Sequence, residues 1–442
     1  MLRQAGLHEW AWHGAAVGFL DFGRAVCGDL AAGESREWLV TNGLGGFASG
    51  TIAGTLTRRY HGLLIAALKP PVGRTFLVAK LNESVSFEGH VYALATDRWA
   101  SGTIDAQGYR NIERFYLSNS VPTWEFACGD ALIEKSVWME QGANTTYVRY
   151  RLLRGRTPLL LRLQALVNYR DFHSTTHAGD WRMTIERADH GIVVRPFAGG
   201  TPFALRSAMA EIDVANQWYR DFALTAEAAR GLDASEDHLH AATFEAMLTP
   251  EQNVTIVAST DLAAETDGEA ALERRRTHER SVQDRFVKAN PQGRIPEWIA
   301  QLALAADQFI VARPLPEDPD AQSVIAGYHW FGDWGRDTMV ALPGLTLTTG
   351  RPALAASILR TFARYIDAGM LPNFFPDAGQ APEYNTIDAA LWYIVAVADY
   401  CNQTRDESLL RDVWPVLVQI VDAYRSGTRF NIHEDPADGL IY

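Results

Sequence analysis

The chain has few cysteines and no long apolar runs. Its 442 residues include three cysteines, Cys27, Cys128 and Cys401, which lie far apart and form no C-x-x-C pair. Such spacing predicts neither a disulfide framework nor a zinc site. No stretch of about 18 consecutive apolar residues occurs, and the N-terminus has no basic segment followed by an apolar run and a cleavage site. We therefore expect a soluble, cytoplasmic protein.

Positive charge is also scarce. Lys and Arg number 40 against 53 Asp and Glu, which gives a net charge of -13. A surface that binds nucleic acid needs clustered basic residues. The densest basic run, residues 274–280, has acidic neighbours in a helical pattern, so we interpret it as a solvated helix face. We expect no nucleic acid partner and no membrane partner.

Length and patterning predict a β part followed by an α part. The chain is longer than one hydrophobic core usually organises, and its 47% hydrophobic and 21% charged residues are typical of globular proteins. Between about residues 30 and 270, alternating runs such as 146–152 and 191–196 are separated by turn residues, which predicts a large antiparallel β-sandwich. The glycine-rich residues 38–54 lack the Gly-Lys-Ser/Thr ending of a phosphate-binding loop.

The pattern becomes helical near residue 270. A charged connector is followed by five predicted helices, at residues 297–311, 337–349, 352–368, 388–402 and 407–426. Pro415 predicts a kink or an interruption in the last of them. We therefore expect a β-sandwich domain at residues 1–270, a helical linker at 271–295 and a helical domain at 296–442.

Three connections between these helices are long and rich in polar and aromatic residues. They are residues 314–336, 369–387 and 431–442, which we name the first, second and C-terminal segments. In a stack of antiparallel helical hairpins, all odd-to-even connections lie at the same end. We therefore expect the three segments to meet on one side of a rigid scaffold, as active-site loops do.

Residues 327–337, GYHWFGDWGRD, which we name the aromatic segment, combine aromatic rings, two carboxylates and one guanidinium. Pyranose rings offer apolar faces for stacking and hydroxyls for charge-assisted hydrogen bonds, so this mixture suits a neutral sugar. The alternative is an ordinary ion pair at a helix start. His329 and His433 lie far apart, and no H-E-x-x-H or G-x-S-x-G motif occurs, so we expect no metal and no serine nucleophile. The candidate sugar-binding residues are Trp330, Trp334, Arg336, Asp337, Tyr384, Asn385 and Asp388.

Two sequence blocks, YHWFGDWGRDT at residues 328–338 and EYNTIDAALW at residues 383–392, resemble the amylo-α-1,6-glucosidase domain of glycogen debranching enzymes. Residues 38–51, WLVTNGLGGFASGT, and 57–64, TRRYHGLL, are similar to the N-terminal β domain of the bacterial and archaeal type. The resemblance implies a β supersandwich followed by an (α/α) six-hairpin toroid of the glucoamylase-like type. It also implies an α-glucan partner such as glycogen or limit dextrin.

The resemblance assigns roles to individual residues. Arg336 and Asp337 would hold outer hydroxyls of the sugar in the cleaved position, with Trp334 as a wall. Tyr384 and Asn385 would contact the sugar. Asp388 begins a predicted helix, so capping of free N–H groups is an equally good explanation of that carboxylate.

The implied reaction is inverting hydrolysis of α-1,6-linked glucose stubs, which requires a carboxylic acid and a carboxylate base. The resemblance therefore implies no cofactor. The family's acid and base fall after the fifth helix, so we expect both beyond Tyr442 and expect this chain alone to be inactive. Replacement acids could be sought in the segments, and the candidates are Asp333, Glu383, Glu434 and Asp438.

Five helices are fewer than the twelve of a closed toroid. We expect the last helix to have an unpaired apolar face and the C-terminal half to be poorly stable or to oligomerise. The residues predicted for that face are Leu409, Val413, Leu417 and Ile420.

Other functions remain open at this point. One is a glucan-binding or inactive remnant without catalysis. Two enzyme alternatives are a glucoamylase, which would act on linear chains, and a glycoside phosphorylase, which would require phosphate.

Overall fold

The computed structural model describes residues 20–291, 295–316, 318–373 and 382–442. Strands dominate up to Ser259, and helices dominate from Gly268 onward. The predicted order, a β part followed by an α part, is confirmed.

One large antiparallel sheet of the described residues has nine strands. Its order in space is β1 (Asp21–Gly23), β9 (Ile112–Ser118), β10 (Val121–Cys128), β11 (Ala131–Met139), β12 (Thr145–Arg154), β19 (Val254–Ser259), β16 (Phe203–Arg206), β15 (Gly191–Arg195) and β14 (Thr184–Ala188). The run predicted as a strand at residues 146–152 lies in β12, and the run at residues 191–196 forms β15 except for its last residue, Pro196.

A second antiparallel sheet faces the first. Its order is β17 (Glu211–Ala223), β18 (Ser235–Leu248), β13 (Leu159–Asp171), β5 (Val72–Phe87), β4 (Gly62–Lys69), β3 (Phe47–Thr51) and β2 (Glu37–Thr41), with β6 (His90–Ala93) paired to β5. Buried residues of both sheets, among them Val137 of β11 and Leu163 of β13, belong to one hydrophobic cluster. The two sheets therefore pack face to face around a common core, as the period-two pattern requires.

Two small hairpins and the helices complete the described secondary structure. The strands are the hairpins β7 (Asp97–Arg98) with β8 (Ile104–Asp105) and β20 (Ile310–Ala312) with β21 (Gln322–Val324). The helices are α1 (Arg24–Cys27), α2 (Leu30–Glu34), α3 (Thr225–Ala229), α4 (Gly268–Ala289), α5 (Glu297–Gln308), α6 (Gly335–Leu342), α7 (Pro352–Ala363), α8 (Asp388–Thr404) and α9 (Glu407–Ser426). A π-helical turn, Pro343–Leu347, continues α6, and 3-10 turns lie at Gly108–Asn111 and Arg429–Asn431.

Several predicted helix ends are wrong. Helix α5 ends at Gln308 because the chain then enters strand β20, and α7 ends at Ala363 rather than near residue 368. Pro415 lies inside α9, which runs without interruption from Glu407 to Ser426. None of the helices in the described ranges is long and apolar enough to cross a membrane.

Helix α4 is not solvated along the whole basic run. Arg275 and Glu279 are 5% and 1% exposed and form an ion pair of 3.1 Å, because α4 lies against the β-sandwich. Arg275 also donates to the carbonyl of Thr41 and to the hydroxyl of Ser120. The predicted solvated face is therefore wrong for Arg275, whereas Arg274 is partly exposed and pairs with acidic residues at the surface.

Asp307 of α5 joins three parts of the helical region. It accepts from Nε2 of His278 on α4 at 2.6 Å and pairs with Nη2 of Arg351, just before α7, at 2.7 Å. Burial raises the pKa of Asp307, but the His278 hydrogen bond and the charges of His278 and Arg351 outweigh it and bring the pKa to about 2.

The apolar face predicted to be unpaired on α9 is paired. Its residues Leu409, Val413, Leu417 and Ile420 are 0 to 9% exposed and share a cluster with residues of α7 and α8. Exposed apolar side chains lie elsewhere on α8 and α9, and they are Leu391, Trp392, Val395, Trp414, Val418 and Val421. The prediction is wrong because α9 has apolar residues on two faces, and packing against α7 and α8 decides which face is buried.

Candidate functional site

The aromatic segment lies between the β-sandwich and the helices. Arg74 of β5, 1% exposed, donates to the carbonyl oxygens of His329 at 3.1 Å and Phe331 at 2.5 Å. Ser49 of β3 lies 2.7 Å from Nε2 of His329. The β part therefore fixes the middle of this segment.

The other side of the aromatic segment is held by the hairpin of β20 and β21. Asp333 is fully buried, forms an ion pair with Arg313 and accepts from Ser323 at 3.2 Å. A general acid must reach a substrate oxygen. Because Asp333 is buried and paired, a structural role fits this residue better than a role as a replacement acid.

Gly335 brings the first and second segments into contact. Its N–H donates to the carbonyl of Asn373 at 2.9 Å, and Asn373 N–H donates to the carbonyl of Glu383 at 2.8 Å. A Cβ at position 335 would lie 2.1 Å from the carbonyl oxygen of Pro372. Only glycine allows this approach, which places the start of α6 beside the chain that leads to α8.

Arg336 and Asp388 meet at the starts of α6 and α8. Nε and Nη2 of Arg336 both lie 2.8 Å from Oδ1 of Asp388, and the two side chains are 42% and 40% exposed. The described contacts of the Asp388 carboxylate thus favour pairing with Arg336 over capping, since the N-cap residue of α8 is Ile387 and no side-chain cap bond forms there. Asp337, next to Arg336, is exposed to solvent.

Tyr384 and Asn385 lie just before α8. The Tyr384 hydroxyl donates to the carbonyl of Tyr365 at 2.7 Å, and the Arg429 guanidinium lies 4.3 Å from the centre of the Tyr384 ring. Burial, followed by the charge of Asp367, raises the pKa of Tyr384. Asn385 is exposed, and its side chain donates to the Glu383 carboxylate at 3.3 Å.

The chain after α9 adjoins the second segment. Arg429 forms an ion pair with Asp367, and the Thr428 hydroxyl donates to the carbonyl of Ala368. Glu434 pairs with Arg425 at 3.2 Å, and Asp438 accepts from the Leu440 N–H at 2.9 Å. The first and second segments thus adjoin through Gly335, Asn373 and Glu383, and the Tyr384 ring of the second segment lies against Arg429, two residues before the C-terminal segment. The meeting of all three segments on one side stays a prediction, and residues 374–381 of the second segment lie outside the described residues.

The two tryptophans of the aromatic segment have different surroundings. Trp330 packs against the β part, with its ring centre 5.8 Å from that of Tyr60, and the guanidinium groups of Arg58 and Arg230 lie 5.6 and 5.0 Å from the indole. Trp334 packs edge-to-face on Phe331 and directly precedes α6. Trp334 is thus beside Arg336, whereas much of the Trp330 ring is covered by β-part residues.

His329 also meets two residues that the sequence analysis did not identify. Glu37 and His61 offer ligand atoms that lie, with one of His329, within 4.8 Å of one another. A metal fits this set poorly. His61 Nδ1 accepts from the Thr57 N–H at 3.2 Å, which leaves the proton of a neutral ring on Nε2, and Arg58 donates to Glu37 at 2.6 Å. Burial lowers the pKa of His329 to about 3, so that ring is neutral at pH 7.

The candidate site is thus the surface around the starts of α6 and α8. Arg336 and Asp388 form a partly exposed pair there, Trp334 directly precedes α6 and packs on Phe331, and Asp337 and Asn385 are exposed to solvent. Charged donors and acceptors of this kind can hold several sugar hydroxyls, and an aromatic face can cover an apolar sugar face.

Comparisons with known proteins cover most of the chain. Residues 36–255 match the family described as "Glycogen debranching enzyme N terminal", and residues 304–442 match "Amylo-alpha-1,6-glucosidase". A glycogen debranching enzyme of Saccharomyces cerevisiae is 45% identical over 67 residues, which is 15% of this chain and 4% of that protein.

Solved structures resemble the chain more distantly. A bacterial glucoamylase in complex with acarbose has a TM-score of 0.44 at 12% identity, over 88% of this chain and 58% of the glucoamylase. A GH92 family glycosyl hydrolase has a TM-score of 0.31 at 12% identity, over 88% of this chain and 53% of the hydrolase. The two matched family descriptions follow each other along the chain in the order of its β and α parts, and the chain belongs to the glycogen debranching enzyme family.

Proposed function

We propose that the protein acts in glycogen or limit-dextrin debranching, by inverting hydrolysis of α-1,6-linked glucose stubs. The family membership supports the class of reaction. The observation that carries the proposal is the meeting of Arg336 and Asp388, which come from two family-specific blocks and form one half-exposed pair beside Trp334.

In this proposal Arg336 and Asp337 hold the outer hydroxyls of the glucose that is released. Asp388 fixes the orientation of the Arg336 guanidinium and leaves its other N–H groups directed to the sugar. Trp334 forms a wall, and Asn385 contacts a hydroxyl. Tyr384 contributes its ring edge, because its hydroxyl already donates to Tyr365.

Trp330 receives a different role from the one first expected. Its contacts with Tyr60, Arg58 and Arg230 support an assignment as a link between the β part and the aromatic segment. In this assignment a sugar would meet only the exposed part of the ring.

Inverting hydrolysis needs an acid and a base that lie roughly 6.5–9.5 Å apart on opposite sides of the glycosidic bond. The four carboxylates considered as replacement acids have other partners. Asp333 pairs with Arg313 and Glu434 pairs with Arg425, while Glu383 and Asp438 accept from neighbouring groups. We therefore place the catalytic acid and base beyond Tyr442. The 442-residue chain would then bind glucan without cleaving it, which is also the second candidate function.

The same proposal covers the domain organisation. We assign residues 1–270 to a β supersandwich, 271–295 to a helical linker and 296–442 to the first part of an (α/α) six-hairpin toroid. Buried residues of α6, α7, α8 and α9 share one hydrophobic cluster, in agreement with the stacking of hairpins that a toroid requires.

The test compares binding and release of glucose. The 442-residue chain should bind limit dextrin, and Arg336→Ala should weaken binding at least about tenfold, because charge-assisted hydrogen bonds are lost. Arg360→Ala is the matched control. Arg360 of α7 also pairs with a carboxylate, Asp412, and is 38% exposed, but it lies beside Ser408 at the start of α9, whereas the C-terminal segment follows the other end of that helix. Equal binding by wild type and Arg336→Ala would remove Arg336 from the site.

The substrate class is tested separately on the natural full-length protein. Glucose release from limit dextrin but not from linear α-1,4 chains supports debranching. Release from linear chains alone would favour a glucoamylase, and phosphate-dependent release of a sugar phosphate would favour a glycoside phosphorylase.

A further inference from the structure

Arg74 is a buried arginine whose described hydrogen bonds cross from the β part to the aromatic segment. It lies in β5, and its Nη1 and Nη2 donate to the carbonyls of His329 at 3.1 Å and Phe331 at 2.5 Å. The guanidinium also lies 4.7 Å from the centre of the Phe172 ring. Two carbonyls two residues apart are thus held by one planar group.

This geometry restricts the backbone more than one hydrogen bond would. A guanidinium has N–H donors in a fixed fork, so two carbonyls bound to it keep a set distance and orientation. Hydrogen bonds from a charged donor are stronger than neutral ones, and a buried carbonyl that loses its donor is costly. The position of residues 329–331 is therefore coupled to strand β5.

A second β-part contact acts on the same residues. Ser49 donates to the carbonyl of Trp38 at 2.7 Å and therefore accepts from Nε2 of His329, also at 2.7 Å. Two residues beyond Phe331, the pair of Asp333 with Arg313 holds the segment from the side of the helices. The chain between these anchors leads directly to Trp334 and Arg336 at the start of α6.

We propose that Arg74 is a positioning residue for sugar binding, through which the β part sets the placement of Trp334 and Arg336. This inference rests on the proposed function, because it assigns sugar binding to the aromatic segment. Arg74 itself does not touch the sugar. It acts by holding the two carbonyls, so that the guanidinium of Arg336 and the ring of Trp334 are in place before a glucan arrives.

The test uses Arg74→Met and Arg74→Lys in the 442-residue chain, with limit dextrin as the probe. Arg149→Met is the matched control, since Arg149 is a 4% exposed arginine of β12 that lies over the Trp138 ring and pairs with acidic residues of the β part and α4. Binding is measured at a temperature at which all variants are folded. We expect Arg74→Met to lower affinity at least about tenfold, Arg74→Lys to recover part of the loss, and Arg149→Met to bind as the wild type does.

A second readout does not depend on glucan binding. Amide hydrogen exchange of residues 327–337 should become faster in Arg74→Met and stay unchanged in Arg149→Met. If wild type binds no limit dextrin but this exchange pattern appears, the proposed function fails, whereas the role of Arg74 in fixing residues 327–337 is supported. If Arg74→Met binds within about twofold of wild type, or if its segment exchanges as in the wild type, the inference is overturned.

Discussion

Replacement of Asp388 separates a sugar-binding role from a structural one. Asp388 lies in the first turn of α8 and accepts from Arg336, and both side chains are about two-fifths exposed. Asp388→Ala removes the hydrogen bonds to Arg336 and the negative charge at the helix start. Asp388→Asn keeps an acceptor but removes the charge.

The expected loss of stability is small. A carboxylate in the first turn of a helix contributes roughly 0.3–1 kcal/mol, and an exposed ion pair contributes about 0–1 kcal/mol. Asp388→Ala should therefore lower the free energy of unfolding by about 1 kcal/mol. The loss of glucan affinity should be larger, about tenfold or more, because Arg336 loses the partner that orients it.

The assay is a double-mutant cycle with Arg336→Ala, measured once by urea unfolding and once by binding to limit dextrin. If both residues act through one pair, the double variant should bind little worse than either single variant. The coupling free energy for unfolding should stay below about 1 kcal/mol.

Unchanged glucan affinity of folded Asp388→Ala would contradict a role of this carboxylate in sugar binding. If Asp388→Ala lowers the free energy of unfolding by about 3 kcal/mol or more and leaves the affinity of the folded protein unchanged, Asp388 is a structural helix-start residue. An Asp388→Asn variant that restores stability but not affinity would instead support the role of the charge in orienting Arg336.

Three further predictions concern stability and reactivity. Ile420 is 0% exposed, so Ile420→Ala should lower the free energy of unfolding, measured with urea, by roughly 2–5 kcal/mol. Val421 is 46% exposed, so Val421→Ala should lower it by less than about 0.5 kcal/mol. Equal losses would contradict the burial of the face that contains Ile420. The pKa of Asp307 is about 2 in the folded protein, below the value of about 4 that an Asp has in an unfolded chain. The ionised carboxylate therefore stabilises the fold fully above a pH of about 4, and this stabilisation is lost as the pH falls through 2. Asp307→Asn should therefore be on the order of 2 kcal/mol less stable at pH 7, with a difference that shrinks between about pH 4 and 2 in thermal unfolding. Burial raises the pKa of Cys128 to about 12, so a thiol reagent at pH 8 should modify the partly exposed Cys401 first, as mass spectrometry of peptides would show.

The meeting of Arg336 and Asp388 was accessible from the sequence because it follows from connectivity. Both residues start helices after connections of the same kind, and antiparallel hairpins bring such starts to one end. The close contact of Gly335 with Pro372 was not accessible, because a single glycine at the start of a helix can have many causes.

The links between the β part and the aromatic segment could not be predicted. Arg74, Glu37 and His61 precede His329 by more than half of the chain, and their approach depends on how the sheets pack against the helices. Trp330 and Trp334 were indistinguishable as sequence, since both are aromatic neighbours of the same motif. Tertiary packing gave them different surroundings. The pairing of the α9 face was predicted wrongly for the same reason.

The close approach at Gly335 has a consequence for how this family can vary. A side chain at position 335 would collide with the backbone of the second segment. Substitution of Gly335 therefore requires the residues near Pro372 to move. At Gly344, nine residues later, an added Cβ would meet no neighbouring atom within 4 Å. Substitution of Gly344 is therefore not restricted in this way. A substitution at Gly335 would therefore require a compensating change in the backbone near Pro372, so the two segments behave as one unit at this point.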